Sequence, residues 1–213
     1  MGVRRAKRIG AGVLLALLVA FIALATWEPF TATPSPAPTG RAYTAEIIRD
    51  ACAPGLRICL DERLREKEFG LLDRLTRAGI AERFPELHEQ RAHVGKFYFR
   101  PPGGESWCDV ILRLRSVMEM WEREYAGCRL LVVAHQVIVN CLRYLLEELD
   151  EARILEIDRR GDVPNCSITA YERATAEGGR EALRLSLCNF VAPLRREGTP
   201  VTRAPDEPAA PSP

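Results

Sequence analysis

The sequence lacks an excess of either charge and is poor in histidine. Its 213 residues carry 30 Lys and Arg against 29 Asp and Glu, a formal net charge of +1. A nucleic-acid-binding domain normally carries a basic excess on one face, so this balance argues against nucleic acid as a partner. The chain has three histidines and no Cys-x-x-Cys spacing. A zinc-finger arrangement is therefore excluded, and we predict neither a metal nor an organic cofactor.

Cysteine is present without a disulfide pattern. Seven cysteines, an odd number, are spread almost evenly through the chain. Disulfide scaffolds are short chains with closely spaced pairs, so that class of protein is not expected. With 47% hydrophobic and 28% charged residues, the composition is typical of a globular protein.

A basic N-terminus precedes a long uncharged run. Residues 4–8 are rich in arginine and lysine, and residues 9–27 read IGAGVLLALLVAFIALATW. This run approaches the roughly 20 residues that a helix needs to cross a bilayer. We predict an N-terminal hydrophobic helix within residues 1–27. It is either a membrane anchor through residues 9–27 with an extracytoplasmic domain or, since residues 23–25 offer a small-x-small cleavage site, the signal peptide of a secreted protein.

Proline and small polar residues separate one domain from its surroundings. Residues 28–40 read as a Pro-rich linker and residues 198–213 as a disordered tail, because neither has enough apolar surface to bury. Residues 41–197 between them are long enough for one domain with its own core.

Helices alternate with apolar strands along this domain. Residues 107–125 carry apolar side chains at spacings of three and four, which predicts an amphipathic helix. Residues 129–134 (RLLVVA) are typical of a strand buried on both faces of a parallel sheet, and an amphipathic helix follows over residues 137–149. Further strands are predicted at residues 56–60, 166–172 and 182–188. The order indicates an α/β fold, a parallel-rich sheet flanked by helices.

Three segments could carry chemistry. His135 stands where the strand at 129–134 meets its helix, a place that suits an anion, although it could also satisfy a nearby carbonyl. Residues 64–70 (LREKEFG) offer either a general acid among cations or a solvated turn. Residues 100–106 (RPPGGES) form either a rim over a site or a loop that leads into a helix capped by Ser106.

In this order the segments resemble the histidine phosphatase superfamily, the phosphoglycerate mutase-like enzymes. LREKEFG is similar to the family's Leu-x-Glu-x-x-x-Gly segment, and PPGGESWCDVILRLRSV to its Gly-Glu-Ser stretch and following helix. LLVVAHQVIVNCLRYLL resembles the strand and helix that carry the family's second histidine, especially in the bisphosphatase domain of the bifunctional fructose-2,6-bisphosphate enzymes. PNCSITAYE resembles the strand start that comes next. The resemblance implies a phosphoglycerate mutase-like fold.

The resemblance also implies a reaction and roles for residues. In that family a first histidine, in an Arg-His-Gly motif, attacks phosphorus, while arginines and the second histidine bind the phosphoryl oxygens and a glutamate protonates the leaving oxygen. Glu66 would be the proton donor and His135 the second histidine, both catalytic. The substrate-binding residues expected beside them are Arg41, Arg100, Glu105 and Asn165. The ligand would be a phosphorylated small molecule or a phosphoprotein.

The sequence departs from the family at the nucleophile. It contains no Arg-His-Gly, and no histidine precedes His88. The expected function is a phosphomonoesterase with impaired turnover, and the alternative is a membrane-tethered pseudo-phosphatase that binds phosphorylated ligands or a protein partner. The family's first strand lies inside the sheet. Here another strand must fill the gap, the domain must open, or a partner chain must contribute a strand, as in a dimer.

Overall fold

The computed structural model describes residues 14–19, 40–52, 54–175, 181–192 and 196–198. The helices are α1 (Gly40–Cys52), α2 (Arg77–Arg83), α3 (Pro85–Val94), α4 (Trp107–Glu124), α5 (Gln136–Leu146) and α6 (Glu151–Arg160). The strands are β1 (Leu14–Val19), β2 (Leu130–Ala134), β3 (Ser167–Thr175) and β4 (Glu181–Phe190). Two short 3-10 turns lie at Glu62–Leu64 and Gly70–Leu72.

The described strands form one mixed sheet in the order β2-β1-β3-β4. β1 runs parallel to β2, with Val19 opposite Ala134, and antiparallel to β3, with Val19 opposite Ser167. β3 and β4 also pair antiparallel. The prediction of a parallel-rich sheet is therefore wrong for the described strands. Successive strands joined by a short connection, such as β3 and β4, pair antiparallel, whereas parallel pairing needs a long crossover.

The apolar run near the N-terminus contributes a strand. Leu14–Val19 is β1, inside the sheet, and not part of the predicted hydrophobic helix. The rest of residues 9–27 lies outside the described residues. Because LLALLV carries no charge or proline, it suits a strand that is hydrogen-bonded on both sides. Of the three ways to replace the family's first strand, the structure has the one in which another strand takes its place.

No helix within the described ranges has both the length and the hydropathy needed to span a bilayer. Membrane anchoring and its alternative, secretion, stay predictions. Helix α1 begins at Gly40, the last residue of the predicted linker, while residues 28–39 and the tail beyond 198 lie outside the described part of the chain.

The main core is formed by one face of the sheet and by helices α4 and α5. Of the α4 side chains predicted from their spacing, Val110, Ile111, Leu114 and Val117 are buried, and Met118 and Trp121 are half-buried against the core. The inner side chains of α5 are buried as well. The core includes Trp107, Val110, Ile111, Leu114 and Val117 from α4, Ile138, Val139, Cys141 and Leu142 from α5, and Val132, Ala134 and Tyr171 from the sheet. β2 is not buried on both faces as predicted: Val132 and Ala134 on one face are buried, whereas Leu131 on the other is 46% exposed.

Other predicted elements have mixed outcomes. The helices at 107–125 and 137–149 and the strands at 166–172 and 182–188 are confirmed as α4, α5, β3 and β4. The strand at 56–60 is wrong, since these residues form no regular structure. Helix α6 was not predicted. Its sequence is mostly charged, and its start is marked by Asp150, whose side chain accepts the Arg153 N–H at 2.8 Å.

Candidate active site

His135 lies at the junction of β2 and α5. It is the N-cap residue of α5, in an extended backbone conformation, and its carbonyl accepts the Val139 N–H at 3.0 Å. The first-turn amides of a helix have no intrahelical acceptors, and the helix dipole makes this end positive. The imidazole of His135 therefore stands beside a helix end that attracts an anion.

The start of β3 reaches the same edge of the sheet. The register aligns Val19, Ala134 and Ser167, so Ser167 stands level with the residue that precedes His135. Ser167 is fully buried, and among the described residues its hydroxyl has no hydrogen-bond partner. Buried hydroxyls are normally hydrogen-bonded, so this one is an exception that needs an explanation. The predicted Asn165, half-buried in the turn two residues earlier, comes to this edge with it.

Glu66 lies on a loop held by α4. We call residues 65–69 the Glu66 loop. The Glu66 carboxylate is half-buried and accepts the Lys67 N–H at 2.7 Å. From α4, Arg113 donates to the carbonyl oxygen of Glu66 at 3.4 Å and to that of Arg63. The carboxyl group is thus carried on a loop whose backbone is bound to a helix.

Glu105 completes the support of this loop. Its carboxylate accepts two bonds from Arg113, at 2.9 and 3.0 Å, and one from the Glu68 N–H at 3.0 Å. Burial alone would raise the pKa of Glu105, but the bonds from Arg113 and Glu68 and the charges of Arg113 and Arg65 outweigh it, so its pKa is lowered. Glu105, predicted to bind substrate, here holds the Glu66 loop as a carboxylate.

A second contact joins the Glu66 loop to residues 101–105, the glycine loop. The Glu105 N–H donates to the Glu68 carbonyl and the Leu71 N–H to the Pro102 carbonyl, both at 2.9 Å. A Cβ on Gly104 would come within 2.7 Å of the Glu68 carbonyl oxygen. Glycine is required there because the two backbones touch. The two motifs read separately from the sequence therefore form one unit.

Lys67 adds a buried cation next to Glu66. Its side chain lies over the Phe69 ring, 4.4 Å from the centroid, and the residue is 9% exposed. Burial, with repulsion from Arg91, lowers the pKa of Lys67 to about 8, despite the opposing charge of Glu105.

The roles predicted for Arg100 and Arg41 as substrate ligands stay predictions. The Arg100 guanidinium is mostly exposed and pairs with Asp109 in the first turn of α4, with Nε 2.8 Å from Oδ2. Asp109 also forms the predicted capping box with Ser106. Arg41 belongs to α1, and its side chain lies outside the described residues.

Sequence reasoning missed Arg113, Lys67 and Ser167. Lys67 and Ser167 stand inside the quoted motifs, LREKEFG and PNCSITAYE, but nothing in the spacing marks them as buried. Arg113 could have been noticed because it stands beside Leu114 on the buried side of α4. Within the described ranges, no cluster of three or more His, Cys, Asp and Glu could hold a metal ion.

The described part of the chain is an α/β domain whose mixed sheet places a histidine at the N-terminal end of a helix. The chain belongs to the histidine phosphatase superfamily, whose branch 1 family model matches residues 23–186. This match confirms the phosphoglycerate mutase-like resemblance read from the motifs.

Curated relatives match part of the chain. A bifunctional protein of Mycobacterium tuberculosis is 38% identical over 105 residues, which are 49% of this chain and 28% of that protein. A Yersinia enterocolitica protein named probable phosphoglycerate mutase GpmB is 34% identical over 131 residues, 61% of this chain and 57% of its own length. A 6-phosphofructo-2-kinase/fructose-2,6-bisphosphatase of Caenorhabditis elegans is 29% identical over 119 residues, 46% of this chain and 25% of the enzyme. The chain thus spans less than two thirds of each of these relatives.

Solved structures share the fold. Mycobacterial glucosyl-3-phosphoglycerate phosphatase, in a complex with VO3, aligns with a TM-score of 0.58 and 20% identity, over 84% of this chain and 100% of that one. The α-ribazole phosphatase of Shigella flexneri aligns with a TM-score of 0.61 and 14% identity, over 84% of this chain and 96% of its own. At such identities the likeness establishes the fold alone.

Proposed function

We propose that this domain is a histidine-phosphatase-type phosphomonoesterase with impaired turnover, which binds a phosphoryl group at the edge where β2 and β3 meet α5. The observation that carries the proposal is the register of Val19, Ala134 and Ser167. It supports a cluster of His135, the first-turn amides of α5 and the buried Ser167 hydroxyl around one oxyanion.

The proposed roles follow the charges of the reaction. Phosphoryl transfer passes through a highly charged transition state, which needs fixed donors and cations and one proton source. His135 and the α5 amides bind the phosphoryl oxygens, and Glu66 gives its proton to the leaving oxygen. Asn165 binds substrate next to them, and Arg41, Arg100 and Glu105 remain proposed substrate ligands from the family resemblance.

Impaired turnover follows from the sequence at the end of β1. His135 directly follows Ala134, and the residue that directly follows Val19, the β1 partner of Ala134, is Ala20. In the family the nucleophile stands in Arg-His-Gly at the end of the first strand. Val19-Ala20-Phe21 at this point would supply no nucleophile.

The first experiment measures binding and turnover in the full chain. The ligands are inorganic phosphate, orthovanadate and a panel of phosphomonoesters that includes 3-phosphoglycerate and fructose 2,6-bisphosphate. His135→Ala should weaken phosphate binding about tenfold or more, because it removes a charge-assisted hydrogen bond. His93→Ala, at an exposed histidine of α3, is the matched control and should bind like the wild type. Equal affinity of wild type and His135→Ala would sink the proposal.

The second experiment restores the missing motif. Val19→Arg/Ala20→His/Phe21→Gly should release phosphate from a monoester faster than the wild type does, and His135→Ala in that background should abolish the gain. A folded triple variant without any gain would argue against β1 as the strand that carries the nucleophile in the family.

The second candidate function is a pseudo-phosphatase, favoured by the absence of Arg-His-Gly from the sequence. Phosphate or monoester binding without phosphate release by the wild type would support it, whereas release that His135→Ala removes would reject it.

Membrane anchoring through residues 9–27, with secretion as the alternative, is a separate proposal. Residues 14–19 cannot both cross a bilayer and pair inside the sheet. Resistance of the full chain to carbonate extraction would therefore support the anchor, and a soluble form beginning after residue 25 would support cleavage.

A further inference from the structure

We infer that Arg113 is a positioning residue, which sets the place of the Glu66 carboxyl group through the backbone of the Glu66 loop; this inference rests on the proposed role of Glu66 as the acid. Arg113 is one of the few charged side chains on the buried side of α4, with 12% of its side chain exposed. Among the contacts described above, Arg113 touches one expected substrate ligand, Glu105, and does not reach the phosphoryl edge.

The guanidinium group binds the backbone at two points, one just before the loop and one within it. Nη1 donates to the carbonyl oxygen of Arg63, and Nη2 donates at 3.4 Å to that of Glu66 itself. The same group holds the Glu105 carboxylate, which in turn accepts the Glu68 N–H at 3.0 Å. The backbone on either side of Glu66 is thus tied to one guanidinium–carboxylate pair.

The support behind this pair is rigid. Arg113 projects from α4, whose start is fixed by the capping box of Ser106 and Asp109 and whose next residue, Leu114, is fully buried. Groups that take part in proton transfer must be held within a fraction of an ångström of their productive position. A planar guanidinium with fixed donor directions suits this task better than a flexible ammonium group.

A second buried arginine–glutamate pair can serve as a control that distinguishes positioning of Glu66 from a general effect on stability. Arg143 and Glu147 of α5 are also joined by two bonds, at 2.8 and 3.2 Å. Their side chains are 10% and 18% exposed, against 12% and 14% for Arg113 and Glu105. Arg143 bonds to Glu147 of its own helix and not to the Glu66 loop, so Arg143→Gln is a matched control for Arg113→Gln.

The first arm of the test is hydrogen–deuterium exchange of the full chain, followed in peptides that cover residues 62–70. Arg113→Gln should speed exchange there about tenfold, as expected for the loss of a charge-assisted hydrogen bond. Arg143→Gln should leave these peptides unchanged and speed exchange in α5. If Arg113→Gln does not fold, Arg113→Lys keeps the charge and should give a smaller increase in the same peptides. Unchanged exchange in residues 62–70 would overturn the inference.

The second arm measures orthovanadate affinity, since vanadate mimics the transition state in which the acid is engaged. Arg113→Gln should weaken vanadate binding about tenfold while leaving phosphate binding unchanged, and it should cause no further loss in a Glu66→Gln background. Losses that add fully in the double variant would overturn the inference. If the wild type binds neither anion, the proposed function fails, and the exchange arm alone decides the role of Arg113.

Discussion

Replacing Lys67 by methionine should stabilise the protein at neutral pH. The pKa of Lys67 is lowered from its ordinary value of 10.5 to about 8, chiefly by burial and then by repulsion from Arg91. This difference corresponds to about 3 kcal/mol of cost to the charged form. Because methionine would lose the contact of the ammonium group with the Phe69 ring and its bond to the Glu68 carbonyl, we expect Lys67→Met to gain only about 2 kcal/mol at pH 7.

The stability difference between Lys67→Met and the wild type should depend on pH. Below pH 8 the ammonium group is charged in both states, so the folded protein bears the full cost. Between about 8 and 10.5 the folded state loses this proton before the unfolded state does, so the stability of the wild type rises relative to that of Lys67→Met. The advantage of the variant should therefore shrink through this window and vanish above it.

The assay is urea unfolding of both proteins, under reducing conditions, at several pH values from 7 to above 10.5, with the difference in unfolding free energy as the result. Lys96→Met is the contrasting control, because Lys96 pairs with Asp158, whose side chain is only 5% exposed. That variant should be destabilised at pH 7. A Lys67→Met variant that is less stable than the wild type at pH 7, or whose advantage does not change with pH, would refute the reasoning.

Two further stability predictions follow from contacts described above. Gly104→Ala should lower the free energy of unfolding by about 2 kcal/mol, because its Cβ would meet the Glu68 carbonyl oxygen at 2.7 Å. Gly79→Ala in α2 has no contact under 3.4 Å, so it should leave the free energy of unfolding unchanged or raise it by up to about 1 kcal/mol. Glu147→Ala should cost about 3 kcal/mol because it leaves Arg143 buried without its carboxylate, whereas Glu156→Ala, at an exposed pair on α6, should cost less than about 1 kcal/mol. Thermal and urea unfolding measure all four variants, and equal effects within either pair would contradict the argument.

The parts of the fold that the sequence predicts are those whose signal is local. The stripe from Val110 to Val117 follows directly from helical spacing, and the apolar run before His135 marks a strand that ends at a helix. β1 could not be predicted in this way. Six uncharged residues inside a longer apolar run fit a membrane helix as well as a strand, and the choice depends on strands more than a hundred residues away.

In the candidate site, too, the residues predicted from the sequence are those with a local signal. Glu66 and His135 were found because each stands in a recognisable motif. The bonds of Arg113 depend on a contact between α4 and a loop that is distant in sequence. The lowered pKa of Lys67 depends on the burial of its side chain. Both properties arise from packing, which the order of residues does not state.

The loop that carries Glu66 is held at several main-chain atoms: the carbonyl oxygens of Arg63, just before it, and of Glu66, and both the N–H and the carbonyl of Glu68. One side chain of the loop, Arg65, adds a bond to Glu105 at 3.2 Å. The main-chain bonds do not depend on which side chains the loop bears. The side chains at positions 67 and 68 can therefore be exchanged while the Glu66 carboxyl group stays where it is. Under the proposed function, sequence changes at these two positions would leave the proton donor in place.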